Sequence, residues 1–237
     1  MSGFTDIHAH FVYGVDDGAQ NRAEMEAMLD AAHADGIAFL FATPHVTPGI
    51  VPFNSELYQQ HLAQARRYCE RKRYSMELYA GAEVLYTPAI ERYASEHRLP
   101  TLADSEYVLM EFVPDIACAE LEAALDLMER AGYSTIMAHV ERYTCMYHGN
   151  ARRIKERHDV RYQMNCNTLL RKRGFFKDHA IEKWLKDELI DFIATDSHDT
   201  ARRPSSMKYA YRSLYEKYSK RYVDLITGKM ESRFWEY

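Results

Sequence analysis

A chain of 237 residues has ample length for the core of an α/β barrel, and we predict one domain over residues 1–237. The net charge of −5 disfavours a nucleic-acid partner, because phosphate binding usually needs an excess of basic residues. Bound divalent cations would weaken that argument at a local site. No apolar stretch approaches the roughly 18 residues of a membrane-spanning helix.

Seven short runs of apolar residues, rich in β-branched and aromatic side chains, predict the strands. In chain order they cover residues 4–7, 37–43, 76–80, 107–110, 133–138, 160–165 and 190–195. Apolar residues spaced three and four apart, with capping or breaking residues at the ends, predict helices between the strands. The helices cover residues 21–35, 55–72, 88–96, 118–131, 151–157 and 178–188, and a Tyr-rich helix follows Pro204.

This alternation of strands and helices implies parallel strand pairing through right-handed crossovers. We expect a seven-stranded (β/α) barrel rather than a doubly wound sheet. In a barrel the carboxyl ends of the strands form a ring around one site, whereas in an open sheet they lie in a row. The side chains that follow the strands favour the barrel. They are of the kinds that bind metal ions, and a ring of strand ends would bring them to one site.

Histidines and carboxylates stand just past nearly every predicted strand. They are His8, His10, Asp16 or Asp17, His45, Glu83, Glu111, His139, Asp196 and His198. Each one alone has an ordinary explanation as a turn residue, a hydrogen-bonded loop residue or half of a salt bridge. Their coincidence at successive strand ends favours a metal site. Nitrogen and oxygen ligands without thiolates suit Mn²⁺ or iron and do not exclude Zn²⁺.

Two short segments refine this prediction. The alternation of side chains along a strand places His8 and His10 on one face, within reach of one ion. Asp6 shares that face and could orient a ligand histidine, or simply begin the loop. Arg142, three residues after His139, could grip a phosphate through two hydrogen bonds, with a salt bridge to Glu141 or a nearby acid as the alternative.

The four cysteines are Cys69, Cys118, Cys145 and Cys166. They show no C-x-x-C pairing, so we predict neither a disulfide framework nor a zinc-thiolate site, and we expect a reducing cytoplasm. None of them begins a C-x₅-R phosphate loop, which disfavours cysteine-dependent phosphatase chemistry. The first residues lack the basic and apolar regions of a signal peptide, so we expect no export signal.

Seven motifs follow one another in order along nearly the whole chain: Asp6-x-His8-x-His10, Asp16-Asp17-Gly18-Ala19, Ala42-Thr43-Pro44-His45, Gly81-Ala82-Glu83, Glu111-Phe112, His139-Val140-Glu141-Arg142-Tyr143 and Asp196-Ser197-His198. Together they resemble the polymerase-and-histidinol-phosphatase (PHP) superfamily. Within it they look most like the metal-dependent protein-tyrosine phosphatases of bacterial capsule and exopolysaccharide loci, the CpsB/YwqE type. The sequence departs from the usual pattern at Val46, Val140, Thr195 and Ser197, and none of these changes removes a metal ligand.

The resemblance implies a distorted (β/α)₇ barrel with three divalent metal ions, most often Mn²⁺. Carried over by motif, the first ion would bind His8, His10, Glu83 and Asp196. The second would share Glu83 and also bind Glu111 and His139. The third would bind Asp17, His45 and His198, with Asp17 preferred to Asp16 by its position in the motif.

The resemblance also implies a reaction, which is the hydrolysis of protein phosphotyrosine by a hydroxide that bridges the metals. Arg142 would stabilise charge on the phosphoryl oxygens. His198 or His45 could assist the leaving group, and the sequence does not decide between them. The implied substrate is a phosphotyrosine-bearing protein, the Tyr-rich tail of a bacterial tyrosine kinase that controls capsular or exopolysaccharide synthesis.

Two other functions stay open. The same site could hydrolyse a small phosphate ester such as histidinol phosphate or a sugar phosphate, or the barrel could be a non-catalytic regulator. The D-D-G-A and E-R-Y elements argue against the first, and the intact ligand set argues against the second. Further substrate contacts are expected from Phe11 and Tyr13 or from Arg202 and Arg203, with loop packing and solvated charges as the alternatives.

Overall fold

The computed structural model describes residues 3–229 and Trp235, and every strand pairing in it is parallel. The strands are β1 (Phe4–Ala9), β2 (Ile37–Ala42), β3 (His45–Val46), β4 (Glu77–Ala80), β5 (Glu83–Leu85), β6 (Tyr107–Glu111), β7 (Ser134–Met137), β8 (Val160–Asn165) and β9 (Phe192–Ala194). Each predicted strand has a counterpart among them.

Helices alternate with these strands. They are α1 (Arg22–Ala34), α2 (Ser55–Lys72), α3 (Ile90–Ser95), α4 (Cys118–Arg130), α5 (Asn150–Arg157), α6 (Cys166–Leu170), α7 (Phe175–Lys186), α8 (Met207–Tyr215) and α9 (Lys220–Ile226). The sequence did not predict α6, which at five residues is too short to show a helical period. The Tyr-rich segment after Pro204 forms two helices, α8 and α9, where we expected one.

Two strands are interrupted just before the residues of interest. β2 and β3 are separated by Thr43 and Pro44, and β4 and β5 by Gly81 and Ala82. Pro44 has no N–H to donate to a neighbouring strand, which explains the first break. With each interrupted pair counted as one, the described chain has the seven strand positions that the sequence predicts. The two segments run β1-β2-β4 and β3-β5-β6-β7-β8-β9.

The first and last strands meet at their carboxyl ends. The Asp196 N–H donates to the His8 carbonyl at 2.8 Å, and the His10 N–H donates to the Ser197 carbonyl at 2.8 Å. Ala9 and Ser197 form a parallel bridge between these bonds. The strand order therefore returns to its start at the end of the fold where the candidate ligands lie. The prediction of an α/β barrel with parallel strands is confirmed.

Buried apolar residues occupy both faces of the strands. A small cluster that includes Ile7, Phe41, Leu109, Ile136 and Ala194 takes the inner face, and a larger one packs between the strands and helices. Side chains alternate along a strand, so Glu111 and Asp196, two positions after Leu109 and Ala194, share the inner face and sit nearer its carboxyl end. The apolar cluster thus packs beneath the polar residues that lie at the carboxyl ends of the strands.

The prediction that the cysteines form no disulfide is wrong for one pair. Cys118, at the start of α4, is bonded to Cys145, with Cα atoms 5.3 Å apart. The two cysteines are 27 positions apart without a pairing pattern, and only the fold brings the two segments together. Cys69 and Cys166 are free and buried, as expected. Among the described residues, no helix combines the length and apolarity needed to cross a bilayer.

Candidate metal centre

The site begins at the end of β1, where the pairing register with β2 is irregular. His8 and His10 are both buried, and their Nε2 atoms lie 3.1 Å apart. His10 Nδ1 pairs with the Asp16 carboxylate at 2.7 Å. That hydrogen bond keeps the proton on Nδ1 and leaves the lone pair of His10 Nε2 facing His8, which is the arrangement of two imidazoles around a shared ion.

Glu83, the first residue of β5, lies at the centre of the site and is 1% exposed. Its Oε2 atom is 3.1 Å from His8 Nε2, 3.3 Å from His10 Nε2 and 3.1 Å from His45 Nδ1. Its Oε1 atom is 2.7 Å from His139 Nε2. One buried carboxylate thus contacts four histidines, which come from the ends of β1 and β7 and from β3, and this makes it a candidate to bridge ions.

The end of β9 places Asp196 opposite Glu83. Asp196 is a non-glycine residue in the left-handed region, with φ 51°, and His139 after β7 is another, with φ 33°. Such conformations are costly and concentrate at functional sites, where neighbouring contacts hold them. Asp196 Oδ1 lies 3.5 Å from His8 Nε2 and 3.6 Å from His10 Nε2. The turn therefore directs this carboxylate at the β1 histidines.

The two acids in the loop Asp16-Asp17-Gly18-Ala19 contact different residues. The Asp16 carboxylate accepts hydrogen bonds from the Gly18 and His45 N–H groups at 3.0 and 3.1 Å in addition to its contact with His10. Asp17 Oδ1 instead lies 3.4 Å from His45 Nε2 and 3.4 Å from His198 Nε2. Asp17 is thus the acid that faces the second pair of histidines.

Gly18 is required in this loop by close packing. A Cβ atom at this position would lie 2.0 Å from the carbonyl oxygen of His10, far inside contact distance. Ala19, the next residue, donates its N–H to the same oxygen at 3.1 Å. The motif therefore folds the acidic loop back onto the end of β1, which brings Asp16 and Asp17 to the histidines.

The segment Glu141-Arg142-Tyr143 follows His139 and contacts three parts of the site. The Arg142 guanidinium donates to Asp196 Oδ2 at 2.6 Å and is 35% exposed. The Tyr143 hydroxyl is 3.3 Å from His139 Nδ1 and donates to the Ala138 carbonyl, so it accepts from the ring and fixes its orientation. Glu141 does not pair with Arg142 but accepts hydrogen bonds from the end of β8 and from α6. The salt bridge of Arg142 is thus with a candidate ligand.

At the carboxyl ends of the strands, three groups of side chains bring potential ligand atoms within 4.8 Å of one another; a fourth such group among the described residues lies on α4 and just after α5. The three are His8, His10, Glu83 and Asp196; His10, Asp17, His45 and His198; and His45, Glu83 and Glu111. His139 Nε2 lies 2.7 Å from Glu83 and 3.5 Å from Glu111, so it contacts the carboxylates of the last group. The structure thus brings together every ligand residue that the motifs suggested.

The donor set fits divalent ions. Glu83 Oε2 and His198 Nε2 are buried and make no hydrogen bond of acceptable geometry, although both face other potential ligands. Unsatisfied buried polar atoms are costly, and a shared cation would satisfy both of them. Among the described residues the donors at this position are imidazole nitrogens and carboxylate oxygens, without a thiolate. This set suits Mn²⁺, iron or Zn²⁺.

The pKa values of the two glutamates in the site shift in opposite directions. Burial opposes the ionised form of Glu83, but the charge of His8 and the contacts from His10 and His139 outweigh it and hold the pKa of Glu83 well below its usual range. Burial and the nearby charge of Glu83 raise the pKa of Glu111 to about 7. Burial and the charge of His10 lower the pKa of His198 to about 4. A divalent cation would favour the ligand form of both Glu111 and His198.

Two residues of β8 contribute to the site, and our sequence analysis missed them. Gln163 is fully buried, and its side-chain oxygen accepts from His8 Nδ1 at 3.1 Å and from the His139 N–H at 2.8 Å. Its amide nitrogen donates to Asn165, which in turn donates to Asp196 Oδ2 at 2.7 Å. The available signal was alternation, since Gln163 and Asn165 alternate with the apolar residues Val160, Tyr162 and Met164 of β8.

Arg203 contacts the site as well. Its guanidinium donates to Asp196 Oδ1 at 2.7 Å, opposite Arg142, whereas the neighbouring Arg202 is exposed. The aromatic residues of the first loop behave as ordinary packing. Phe11 is buried in the core, and Tyr13 stacks on His61 with ring centroids 3.6 Å apart.

Asp6 does not act on a histidine ring. Its carboxylate accepts from the N–H and hydroxyl groups of Thr195 at 3.0 and 2.5 Å and from the His8 N–H at 3.3 Å. Gln163 and Asp16 contact the Nδ1 atoms of the two rings instead. Asp6 therefore ties β1 to the segment after β9.

The fold and the site define an α/β protein of parallel strands whose carboxyl ends gather buried histidines and carboxylates, as in metal-dependent hydrolases of the TIM-barrel kind. The chain belongs to the CpsB/CapC family of capsular polysaccharide synthesis, whose family model matches residues 4–233. The family that the motifs suggested is thereby confirmed.

Curated relatives cover most of the chain. It is 28% identical over 220 residues to tyrosine-protein phosphatase CpsB of Streptococcus pneumoniae, with 90% of each chain covered. It is 24% identical over 235 residues to tyrosine-protein phosphatase YwqE of Bacillus subtilis, covering 95% of this chain and 89% of YwqE. Putative tyrosine-protein phosphatase CapC of Staphylococcus aureus is 26% identical over 236 residues, with 95% and 89% covered.

Solved structures share the fold. One crystal structure, from work on YwqE of Bacillus subtilis and CpsB of Streptococcus pneumoniae as unique metal-dependent tyrosine phosphatases, has a TM-score of 0.84 at 23% identity. The match covers 94% of this chain and 91% of that one. The lactonase Lmo2620 of Listeria monocytogenes has a TM-score of 0.65 at 9% identity, covering 96% and 93%. At these identities the likeness shows the fold alone.

Proposed function

We propose that this protein is a metal-dependent phosphatase that hydrolyses phosphotyrosine in a protein substrate. The observation that carries the proposal is the position of Glu83, a buried carboxylate in contact with four histidines from three strands. The curated relatives in the same family are named tyrosine-protein phosphatases. An ion-binding cluster of this density at the carboxyl face suits the hydrolysis of a phosphate ester.

We propose three divalent ions, with Mn²⁺ as the first choice. His8, His10, Glu83 and Asp196 would hold one; Glu83, Glu111 and His139 a second; and Asp17, His45 and His198 a third. When bound, such ions lower the pKa of water and polarise phosphoryl oxygens. Asp17 is preferred to Asp16 because the Asp16 carboxylate is already engaged with His10 and two backbone N–H groups.

The chain's own contribution to the reaction is electrostatic and positional. Arg142 and Arg203 flank Asp196 from two sides, and each side chain is 35% exposed, so both guanidinium groups can also reach a bound phosphate. Planar guanidinium groups match the geometry of phosphoryl oxygens and are always charged. They would orient the phosphate and stabilise the charge that develops on its equatorial oxygens.

His198 is better suited to bind an ion than to protonate the leaving group. Its Nδ1 atom lies 3.1 Å from the Asp196 carbonyl, an acceptor, so Nδ1 carries the proton and Nε2 presents a lone pair. A tyrosyl leaving group needs little help from an acid, because the pKa of tyrosine is about 10. The proposed catalytic role therefore rests on Arg142, with His198 as a ligand.

We further propose that the substrate is the Tyr-rich tail of a bacterial tyrosine kinase in the cytoplasm. The family's part in capsular polysaccharide synthesis supports this proposal. A reducing cytoplasm would hold Cys118 and Cys145 as thiols, since disulfides are rare there. Thiol alkylation during lysis, followed by mass spectrometry, tests the compartment: two modified thiols at this pair support the cytoplasm, and a protected pair contradicts it.

The decisive experiment compares substrates. We expect turnover of a phosphotyrosine peptide with added Mn²⁺, little turnover of a phosphoserine peptide or of histidinol phosphate, and loss of activity with EDTA. Activity confined to histidinol phosphate would keep the metal site but discard the protein substrate. No activity on any of them with metal bound would favour a non-catalytic barrel.

A further inference from the structure

A cavity of about 810 Å³ opens beside α7, and none of the candidate metal ligands lines it. Its wall includes Tyr147 and Trp184, two buried residues whose ring centroids are 5.1 Å apart. At its edge Phe176 is 85% exposed, and the adjacent Phe175 is 81% exposed. Neighbouring aromatic rings left in water are unusual on a protein surface and mark a site of interaction.

The cavity is basic although the chain as a whole is acidic. Arg152, Lys177 and Lys183 line it, and Asp187 is the one acid among the described residues that do so. Asp187 is already paired with Arg152 at 2.8 Å and with Lys183 at 3.1 Å. The Lys177 ammonium lies 5.8 Å from the centroid of the Tyr147 ring, beside the apolar wall. Three cations against one acid fit an occupant that carries negative charge.

The preceding loop extends this charge. Residues 171–173 read Arg-Lys-Arg and connect α6 to α7, so they stand next to the exposed phenylalanines in the chain. The segment from β8 to α7 thus carries cations and aromatic rings together. A peptide with acidic side chains and an apolar or aromatic one would match both features.

The cavity and the metal centre share one segment of chain. Tyr147 lines the cavity, and its hydroxyl donates to the Glu141 carbonyl at 2.7 Å, immediately before Arg142. Arg142 and Tyr147 are five residues apart, so their Cα atoms are at most about 18 Å apart. Five or six residues of extended peptide cover that distance, which is within reach of a substrate whose phosphotyrosine occupies the metal centre.

We propose that this cavity, with Phe176 and Lys177 at its edge, docks the segment of the protein substrate that flanks the phosphotyrosine. The segment carries acidic side chains and at least one apolar or aromatic side chain. This inference rests on the proposed function and deepens it, because it assigns a second contact that selects among phosphotyrosine proteins. A small aryl phosphate, which fills only the metal centre, does not use it.

The test separates docking from chemistry through the choice of substrate. With Mn²⁺ present, kcat and KM are measured for 4-nitrophenyl phosphate, for an acidic phosphotyrosine peptide and for a peptide of equal length with neutral flanks. We expect Phe176→Ala and Lys177→Glu to raise KM for the acidic peptide about tenfold, with kcat and both constants for 4-nitrophenyl phosphate unchanged. Tyr209→Ala and Lys208→Glu, which alter exposed residues on α8, are the matched controls.

Binding of the unphosphorylated acidic peptide, followed by fluorescence anisotropy, provides a readout that needs no catalysis. We expect it to weaken in Phe176→Ala and Lys177→Glu and with added salt, and to persist in the controls. Equal KM values for acidic and neutral peptides, or equal effects on every substrate, would overturn the docking proposal. Absent phosphotyrosine turnover with intact peptide binding would overturn the proposed function instead and leave the docking site standing.

Discussion

At the scale of single residues, the site depends on buried polar side chains that hold one another in place. Gln163 illustrates this, because its oxygen must face the His139 N–H, which can only donate. The same oxygen then accepts from His8 Nδ1, which turns His8 Nε2 toward Glu83. The side-chain nitrogen of Gln163 donates to Asn165, and the side-chain nitrogen of Asn165 donates to Asp196 and orients it. One amide therefore positions three candidate ligands.

Gln163→Leu should weaken metal binding by about 10- to 100-fold while the fold persists, because leucine has similar bulk but removes all three hydrogen bonds. Isothermal titration calorimetry with Mn²⁺ measures the affinity, and circular dichroism checks the fold. Gln64→Leu, at a half-buried glutamine that pairs with Tyr13, is the matched control. Unchanged affinity in Gln163→Leu would show that Gln163 does not position the ligands.

Arg142→Ala should lower kcat by about 10² to 10³ with little loss of bound metal, because the guanidinium acts on the substrate's charge rather than holding an ion. Metal analysis of each preparation beside steady-state kinetics measures both quantities. Arg130→Ala, at the exposed end of α4, serves as control. Loss of metal with unchanged turnover per bound metal would contradict this role.

At the scale of elements, the helices that follow β6 and β7 are clamped together near the site. Glu122 of α4 accepts two hydrogen bonds from Arg153 of α5, at 2.8 and 2.9 Å, and a third from Arg157 at 3.1 Å. Close to this clamp, Cys118 at the start of α4 is joined to Cys145 in the segment after Arg142. Cys118 Sγ also lies 3.3 Å from the Cys145 carbonyl, a contact that persists when both thiols are reduced. The loop that carries Arg142 is therefore anchored to α4 as well as to β7.

Glu122→Gln should lower the free energy of unfolding by about 1 kcal/mol near neutral pH, and the difference should shrink in acid. The hydrogen bonds from Arg153 hold the pKa of Glu122 below its ordinary value of 4.5. The ionised carboxylate therefore stabilises the fold fully above that value, and the contribution is lost as pH falls through the lowered pKa.

Urea unfolding of both proteins at about pH 7 and about pH 4 measures this difference. Glu120→Gln, an exposed acid on the same helix, controls for the loss of one negative charge. A difference that stays constant or grows toward low pH would contradict the stabilising role of the ionised pair.

At the scale of the whole molecule, the closed strand order places like charges in one buried space. Glu83 and Asp196 are at most 2% exposed, and Glu111 lies beside them. Buried carboxylates need a compensating charge, and the nearby histidines supply it only in part because burial lowers the pKa of His45, His139 and His198. The stability of the fold is therefore expected to depend on bound ions.

EDTA should lower the melting temperature, and Mn²⁺ should restore it in a concentration-dependent manner. An ion that binds the folded state alone adds about 2.7 kcal/mol at one hundred times its dissociation constant. Differential scanning fluorimetry across a Mn²⁺ series measures this effect. Glu83→Gln should abolish most of the response, whereas the docking variant Phe176→Ala should retain it. A melting temperature insensitive to both chelator and metal would exclude a structural role for the ions.

Much of this could be predicted from local signals. All strands except the short β3 and β5 follow apolar runs that are visible in the sequence, and the ligand types stand where those runs end. Local patterns failed where a feature is short or depends on distant residues. The short helix α6 shows no period, and the bond between Cys118 and Cys145 joins positions 27 apart without a motif. The β8 amides, Gln163 and Asn165, have no metal-ligand chemistry of their own to attract notice.

The sequence by itself determined the fold class, the family and the residue types of the site, because strand periodicity and motif spacing are local properties of a chain. Only the tertiary structure decided which atoms meet. It showed that Asp16 serves His10 while Asp17 faces His45 and His198, that Asp6 ties strands together rather than orienting a ring, and that Gln163 does what Asp6 was expected to do. Most of these contacts join segments far apart in sequence, so only the packing of the strands and their loops sets the distances.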